Sequence, residues 1–316
     1  MTRVNFLTTF KRVFKANILV LTLLFSSTIN AGTDTLSFWS KAPELKKNRR
    51  NLVLFSEGVA GVGIMSGLAA AWYSNYSTER FHFFDDSPEW MGMDKIGHGI
   101  TAYYIASYTA ELCSWAGMNR RSQNLTGVAY SLGFLSVVEV LDGFSSGWGF
   151  SITDMLTNVG GVGLFYLNRS VLKDEPVQLK YNSLPSPYRQ YRPELLGADW
   201  LESLIKDYNG QTYWLSFNLH SLLSDRLPNW LALGAGYGVA GLLGGKENPL
   251  LNEAGQTLPR FDRYAQFYLS PDIQWDKIKT RYPFLKGVFK ALTFVKLPLP
   301  GLELNGKGQL NWNWLI

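Results

Sequence analysis

Between positions 94 and 161 the chain sets ionisable and polar residues into otherwise apolar, helix-like sequence: Asp94, Lys95, His98, Glu139, Asp142, Ser151, Asp154 and Asn158. Each costs free energy to bury unless it is paired, so the group calls for structural partners or a function. Asp94 and His98 are spaced i, i+4 and share a helix face, with Lys95 one step round. Gly97 and Gly99 flank the histidine and leave room for a helix or a ligand beside the imidazole. The plainer reading makes Asp94 a helix cap and His98 a satisfied interior residue. Glu139 and Asp142, spaced i, i+3 just before Gly143, could bind a cation or split their pKa values so that one is acid and one stays ionised. Alternatively, Asp142 is a turn residue and Glu139 pairs with Lys95 or His98. Ser151-Ile-Thr-Asp154 fits a helix N-cap followed by an acid at N3, and Asp154 shares a face with Asn158.

Taken as one site, His98, Glu139, Asp142 and Asp154 are the candidate catalytic groups, with Asp94, Lys95, Ser151 and Asn158 in support. His98 as base and a carboxylate as acid or metal ligand would suit metal-assisted or acid/base hydrolysis of an envelope lipid or glycan. The pattern names no particular metal or cofactor: the zinc-binding spacing His-Glu-x-x-His is absent from the sequence. The same residues support a second function, a non-enzymatic assembly protein of the envelope whose buried polar network fixes helix packing.

Four apolar segments must position these groups. The first, 52–73, is long enough to span a bilayer, carries only Glu57 as a charge, and holds Gly58, Gly61, Gly63 and Gly67, a spacing that lets helices approach closely. Segments 96–115, 125–141 and 153–167 are shorter and more polar. The loop 143–149, rich in glycine and bearing Trp148, reads as flexible, able to cover a site or to sit among lipid headgroups. After residue 175 the prolines 176, 185, 187 and 193 mark a linker. Beyond it, 213–219, 231–239, 264–275 and 302–314 alternate with the period of strands, and Asn305-Gly306 signals a C-terminal hairpin. Outer-membrane strands alternate too, but these are too few to close a barrel of eight. Lys296-Leu-Pro-Leu-Pro300 suits a sheet edge or a crossing segment.

The fold class expected is therefore α+β: an N-terminal antiparallel four-helix membrane-type bundle, then an aromatic-rich region with β-hairpin content. The divisions are a signal peptide (1–31), a basic linker (32–51), the bundle with its polar site (52–170), a Pro-rich linker (171–196) and a mixed α/β region (197–316). The signal reading rests on Lys11, Arg12 and Lys15 before an apolar core at 18–25, too short to span, and a plausible cleavage residue at Ala31. No lipobox cysteine stands at the cleavage point, so a lipid anchor is not expected. Cys113 is the only cysteine, which excludes an internal disulfide, and reads as a small buried apolar residue. A formal charge of +5 with 11 Trp, 16 Tyr and 19 Phe, and basic residues scattered or paired, favours a lipid membrane as partner over nucleic acid, with other envelope proteins as further candidates. The expected location is the Gram-negative cell envelope, at the outer membrane or periplasmic face, with the inner membrane as the alternative.

Asp94-Lys95-x-x-His98, Glu139-x-x-Asp142 and Gly147-Trp148-Gly149-Phe150-Ser151-x-x-Asp154 together resemble the YfiM-like family of envelope proteins, a domain of unknown function often found as predicted periplasmic lipoproteins. The resemblance covers about residues 88–168. A more distant similarity is to the VanZ-like membrane family, whose four helices carry a comparable Asp-Lys-x-x-His start, a central Glu and a late Ser-x-x-Asp with a following Asn. The resemblance implies an envelope location and a bundle with a shared polar site. It implies no activity.

Overall fold

A computed structural model describes residues 38, 40–71, 76–172, 174–252 and 254–316 of the chain, so the expected signal peptide lies outside the described residues. The fold is α+β, with eight α-helices and a six-stranded antiparallel sheet among the described residues. The chain divides into two units. One comprises residues up to 85 together with 105–162, the other residues 86–104 together with 163–316.

The first unit is helical. Its elements are α1 (Lys47–Ala71), residues 105–115 of α2 (Met93–Trp115), α3 (Arg120–Asp142) and residues 152–162 of α4 (Ile152–Ser170). The helices start earlier than the apolar runs, because polar residues form their first turns. Asn119 caps α3 by accepting from the Ser122 N–H at 2.9 Å, which brings Arg120 to Asn124 inside the helix. Gly127 of α3 lies against the backbone of α2: a Cβ there would come within 2.3 Å of the Ala106 carbonyl oxygen. The Tyr130 hydroxyl reaches back to the Glu57 carbonyl of α1 at 2.6 Å. Cys113 is buried, as expected.

Polarity in α3 and α4 runs opposite to that of a water-soluble bundle. The buried stripe of α3 carries Gln123, Asn124, Gly127, Ser131, Leu135 and Glu139, while Leu125, Val137 and Val140 are exposed. In α4, Asp154 and Asn158 are buried whereas Ile152, Leu156 and Val159 are exposed. Residues 47–68 and 120–142 are both long and apolar enough to cross a bilayer.

The second unit is built on the sheet: β1 (Val177–Ser183), β2 (Gln211–Asn218), β3 (Leu231–Ala240), β4 (Tyr264–Ile273), β5 (Gly301–Asn305) and β6 (Leu310–Asn313), each strand pairing only with its sequence neighbours. Small helices fill the connections: α5 (Pro193–Leu196), α6 (Trp200–Lys206), α7 (Leu219–Leu222) and α8 (Pro283–Ala291). β1 corrects the expectation of a Pro-rich linker over 171–196. Pro176 and Pro185 only bracket it, and Val177 to Ser183 pair residue for residue with Phe217 to Gln211. Asn305-Gly306 makes the expected hairpin, with the Gly308 N–H bonded to the Asn305 carbonyl at 2.9 Å.

Register assigns each strand two faces. One carries Gln178, Lys180 and Asn182 of β1, Trp214, Ser216 and Asn218 of β2, Ser270 and Asp272 of β4, and Glu303 and Asn305 of β5. Most of these are buried, so this is the inner face. In β3 it carries Gly234, Gly236 and Gly238, and the Trp214 ring lies where a Cβ on Gly236 would sit, 2.8 Å away. Lys180 of β1 pairs with Asp272 of β4 at 2.9 Å although two strands intervene, so the sheet curls over its inner face. The segment Lys296 to Pro300 straps it: the Lys296 N–H bonds to Tyr181 of β1 at 3.0 Å, and the Leu299 carbonyl accepts from Ile316, beyond β6, at 3.2 Å. Lys296 projects inward to Ser270 Oγ at 3.2 Å and lies 4.8 Å from the Trp214 ring centre.

The outer face is apolar. Over β1–β3 it meets the start of α2: a Cβ on Gly97 would lie 2.9 Å from the Tyr213 hydroxyl, and the Tyr237 hydroxyl donates to the Met91 carbonyl at 2.7 Å. Over β4–β6 it is exposed.

Candidate functional site

The expected site residues fall in both units, and each set has its own surroundings. Asp94, Lys95 and His98 belong to the sheet unit; Glu139, Asp142, Ser151, Asp154 and Asn158 belong to the helical one.

In the sheet unit α2 is launched from a short 3₁₀ turn, Glu89–Gly92, in which Trp90 and Met91 take positive φ of 51° and 52° and Gly92 follows at 81°. Two consecutive non-glycine residues in the left-handed region cost of order 1–3 kcal/mol each and need outside support. The support is the Tyr237 bond to Met91 and the Trp90 N–H bond to the Gly245 carbonyl at 2.9 Å. This turn places Asp94 second in α2, inside the first turn, where a carboxylate complements the helix N-terminus. Asp94 therefore is not the cap residue: one oxygen takes the Tyr208 hydroxyl at 3.0 Å and the other takes Lys95 at 3.1 Å. Lys95 is buried between Asp94 and Asp86, the latter at 2.7 Å. Asp86 escaped sequence reasoning because nothing in a nine-residue separation across a kinked turn announces the pair. His98 is half-buried. Gly97 serves Tyr213 rather than a ligand, since the phenol fills the room that the missing side chain leaves.

In the helical unit Glu139, 1% exposed, ends the polar stripe of α3. Its Oε2 accepts from the Ser151 N–H at 3.4 Å, at the N-terminus of α4. Ser151 Oγ accepts from the Asp154 N–H at 3.1 Å, which makes Ser151 the N-cap as its spacing predicts. Half of the capping box thus comes from another helix: Glu139 takes the N–H that an N3 carboxylate ordinarily would. Asp154 is buried, and Asn158 is fully buried with neither amide atom hydrogen-bonded among the described residues. Asp142 is half-buried and closes a turn, its carbonyl accepting from the Ser145 N–H at 3.0 Å.

The loop 143–149 is pinned, against the expectation of a flexible cover. Glu79 and His82 donate to the Phe144 and Gly143 carbonyls, Ser146 donates to Ser77, and His82 Nε2 lies 2.7 Å from the Trp148 carbonyl. Its glycines serve close packing, since Cβ atoms on Gly143, Gly147 and Gly149 would strike Phe81, Tyr76 and Phe84 at 2.4–2.5 Å. Glu57 is a further polar residue of this unit. It is buried in the groove that Gly58, Gly61, Tyr130 and Gly133 line, with Oε2 lacking a hydrogen bond among the described residues. In sequence it stood out only as the one charge of an apolar segment.

No curated protein and no solved structure matches the chain. Residues 82–170, which hold every candidate site residue, match the model of a family of unknown function described as a predicted periplasmic lipoprotein, DUF2279, and this agrees with the cell-envelope location expected from the sequence.

Proposed function

We propose that this is a membrane-embedded envelope protein whose N-terminal helices form a bundle in lipid around buried polar groups. One observation carries the reading: α3 and α4 bury Gln123, Asn124, Ser131, Glu139, Asp154 and Asn158 while exposing leucine, isoleucine and valine. Water disfavours that arrangement on both counts, and a bilayer favours it. The family description supports the compartment, and the finer resemblance to the YfiM-like and VanZ-like families supports the bundle. Membrane fractionation tests it. The full chain should stay with the membrane pellet through an alkaline carbonate wash, and recovery in the soluble periplasmic fraction would refute the proposal.

Within this reading we carry forward from the sequence a hydrolytic role, with His98 as base and Glu139, Asp142 or Asp154 as acid or metal ligand, on an envelope lipid or glycan. The second reading, a packing network in an assembly protein, is favoured for Glu139 by its bond to the Ser151 N–H. Thermal unfolding in detergent separates the two. Losses of about 2 kcal/mol or more in both His98→Asn and Glu139→Gln mark a network, while unchanged or raised stability marks groups kept for function.

A further inference from the structure

The sheet unit repeats the inversion in β form. Along β5 burial alternates strictly: Glu303 and Asn305 are buried, Leu302 and Leu304 exposed. In β4, Ser270 and Asp272 are buried and Phe267 and Leu269 exposed. In β6, Leu310 and Trp312 stand on the exposed side. The exposed six, at 40–69% exposure, form one continuous apolar stripe across three adjacent strands. Large residues at such exposure do not occur by chance on the face opposite a buried Lys–Asp pair, because in water the two faces would exchange roles.

From this we infer that the outer face of β4–β6 is a lipid-contacting surface that dips into one leaflet of the bilayer, its occupant being acyl chains. The inference rests on the membrane reading above and assigns a second, β-structured contact to it. Three observations select lipid. Apolar-out, polar-in alternation is the signature of strands facing hydrocarbon. One end of the stripe carries interfacial chemistry: at the β5–β6 turn, Lys307 lies 4.7 Å from the Tyr264 ring centre and 3.2 Å from Asp262, an amphipathic aromatic beside a cation that can reach headgroups. Strand length limits the depth. The apolar stripe holds only Phe267 and Leu269 of the ten-residue β4 and runs no further than β5 and β6, whose five and four residues extend about 17 and 13 Å, roughly half of a 30 Å core, so the face enters one leaflet and does not cross.

The test uses the full chain in vesicles of phosphatidylethanolamine and phosphatidylglycerol. With Cys113 replaced by Ala, single cysteines at Leu302, Leu304 and Phe267 carry a nitroxide label, and Glu303→Cys serves as the inward control. Vesicle flotation comes first: failure of the unlabelled protein to float would overturn the membrane reading and this one together. If it floats, labels at 302, 304 and 267 should collide with oxygen several-fold more than with a water-soluble nickel complex, and the label at 303 with neither. Floating protein whose three outward labels collide with nickel would overturn the lipid face alone. So would outward labels shielded from both quenchers, which would mark a protein partner or a second copy. All three outward sites are exposed and are read independently of position 303, so the result stands even if Glu303→Cys does not fold.

Discussion

Replacing Asp272 by Asn probes whether the inner face of the sheet is dry. Lys180 Nζ and Asp272 Oδ2 are 2.9 Å apart with side chains 0% and 1% exposed, and Lys180 also donates to the Ile273 carbonyl. At an effective dielectric of about 20, two charges at that distance attract by about 6 kcal/mol, much of which offsets the cost of taking both from water. The net value of the pair is therefore small, but the cost of breaking it is not: Asp272→Asn strands the Lys180 ammonium, and such losses run to about 3–5 kcal/mol. Lys180→Met should cost a similar amount by stranding the carboxylate. The double variant Lys180→Met/Asp272→Leu removes both charges and should return to within about 1 kcal/mol of wild type, or exceed it. Reversible denaturant unfolding in detergent micelles, followed by near-ultraviolet circular dichroism, reads all four proteins. A loss below about 1 kcal/mol for Asp272→Asn, the level of a solvated pair, would show that water reaches the inner face and would refute the reasoning.

Lys296 gives a pH dependence. Burial pulls its ammonium down from 10.5 to about 8, with the Asp272 carboxylate opposing and the Lys180 charge assisting. Between those values the unfolded chain binds the proton and the folded one does not, so stability should rise with pH from about 8 to about 10.5, by up to about 3 kcal/mol. Lys296→Met should lack the rise, and following the difference between the two proteins cancels the tyrosines they share. Ser151→Ala removes the α4 cap and should cost about 1 kcal/mol in thermal unfolding, with Ser151→Thr recovering most of it; equal midpoints for all three would exclude a capping role. Gly127→Ala places a Cβ 2.3 Å from the Ala106 carbonyl oxygen and should cost about 1–3 kcal/mol, whereas Gly133→Ala, with open space at its Cβ, should be neutral or stabilising.

What the sequence disclosed depended on whether the signal was local. The hairpin at Asn305-Gly306 and strands β2 to β4 were legible because turn chemistry and period-two alternation are carried by neighbouring residues. So was the Ser151 cap, three positions from its Asp154 partner. β1 was hidden because its inward positions, Gln178, Lys180 and Asn182, are polar and prolines stand close on both sides; only pairing with β2 shows that those polar residues point inward. Alternation reveals two faces but not which one is buried, so the inversion itself is not legible from the period-two pattern. The glycines of 143–149 suggested freedom, and the distant Phe81, Tyr76 and Phe84 turn them into contact points. Glu139's bond to the Ser151 N–H joins two helices across twelve residues and leaves no trace in spacing.

The strap from Lys296 to Pro300 has a consequence for self-association. A curled sheet with open ends offers unpaired backbone groups to a neighbouring chain, the usual route to strand swapping and fibrils. Here the first edge is engaged by the Lys296 N–H, and the chain beyond the last strand is drawn onto the same strap through Ile316. Pro298 and Pro300 contribute no N–H with which a further strand could pair. A second molecule would have to displace an internal segment, whose lysine is anchored under Trp214, before it could extend the sheet at β1. The strap thus guards the β1 edge of the folded sheet against the addition of a further strand.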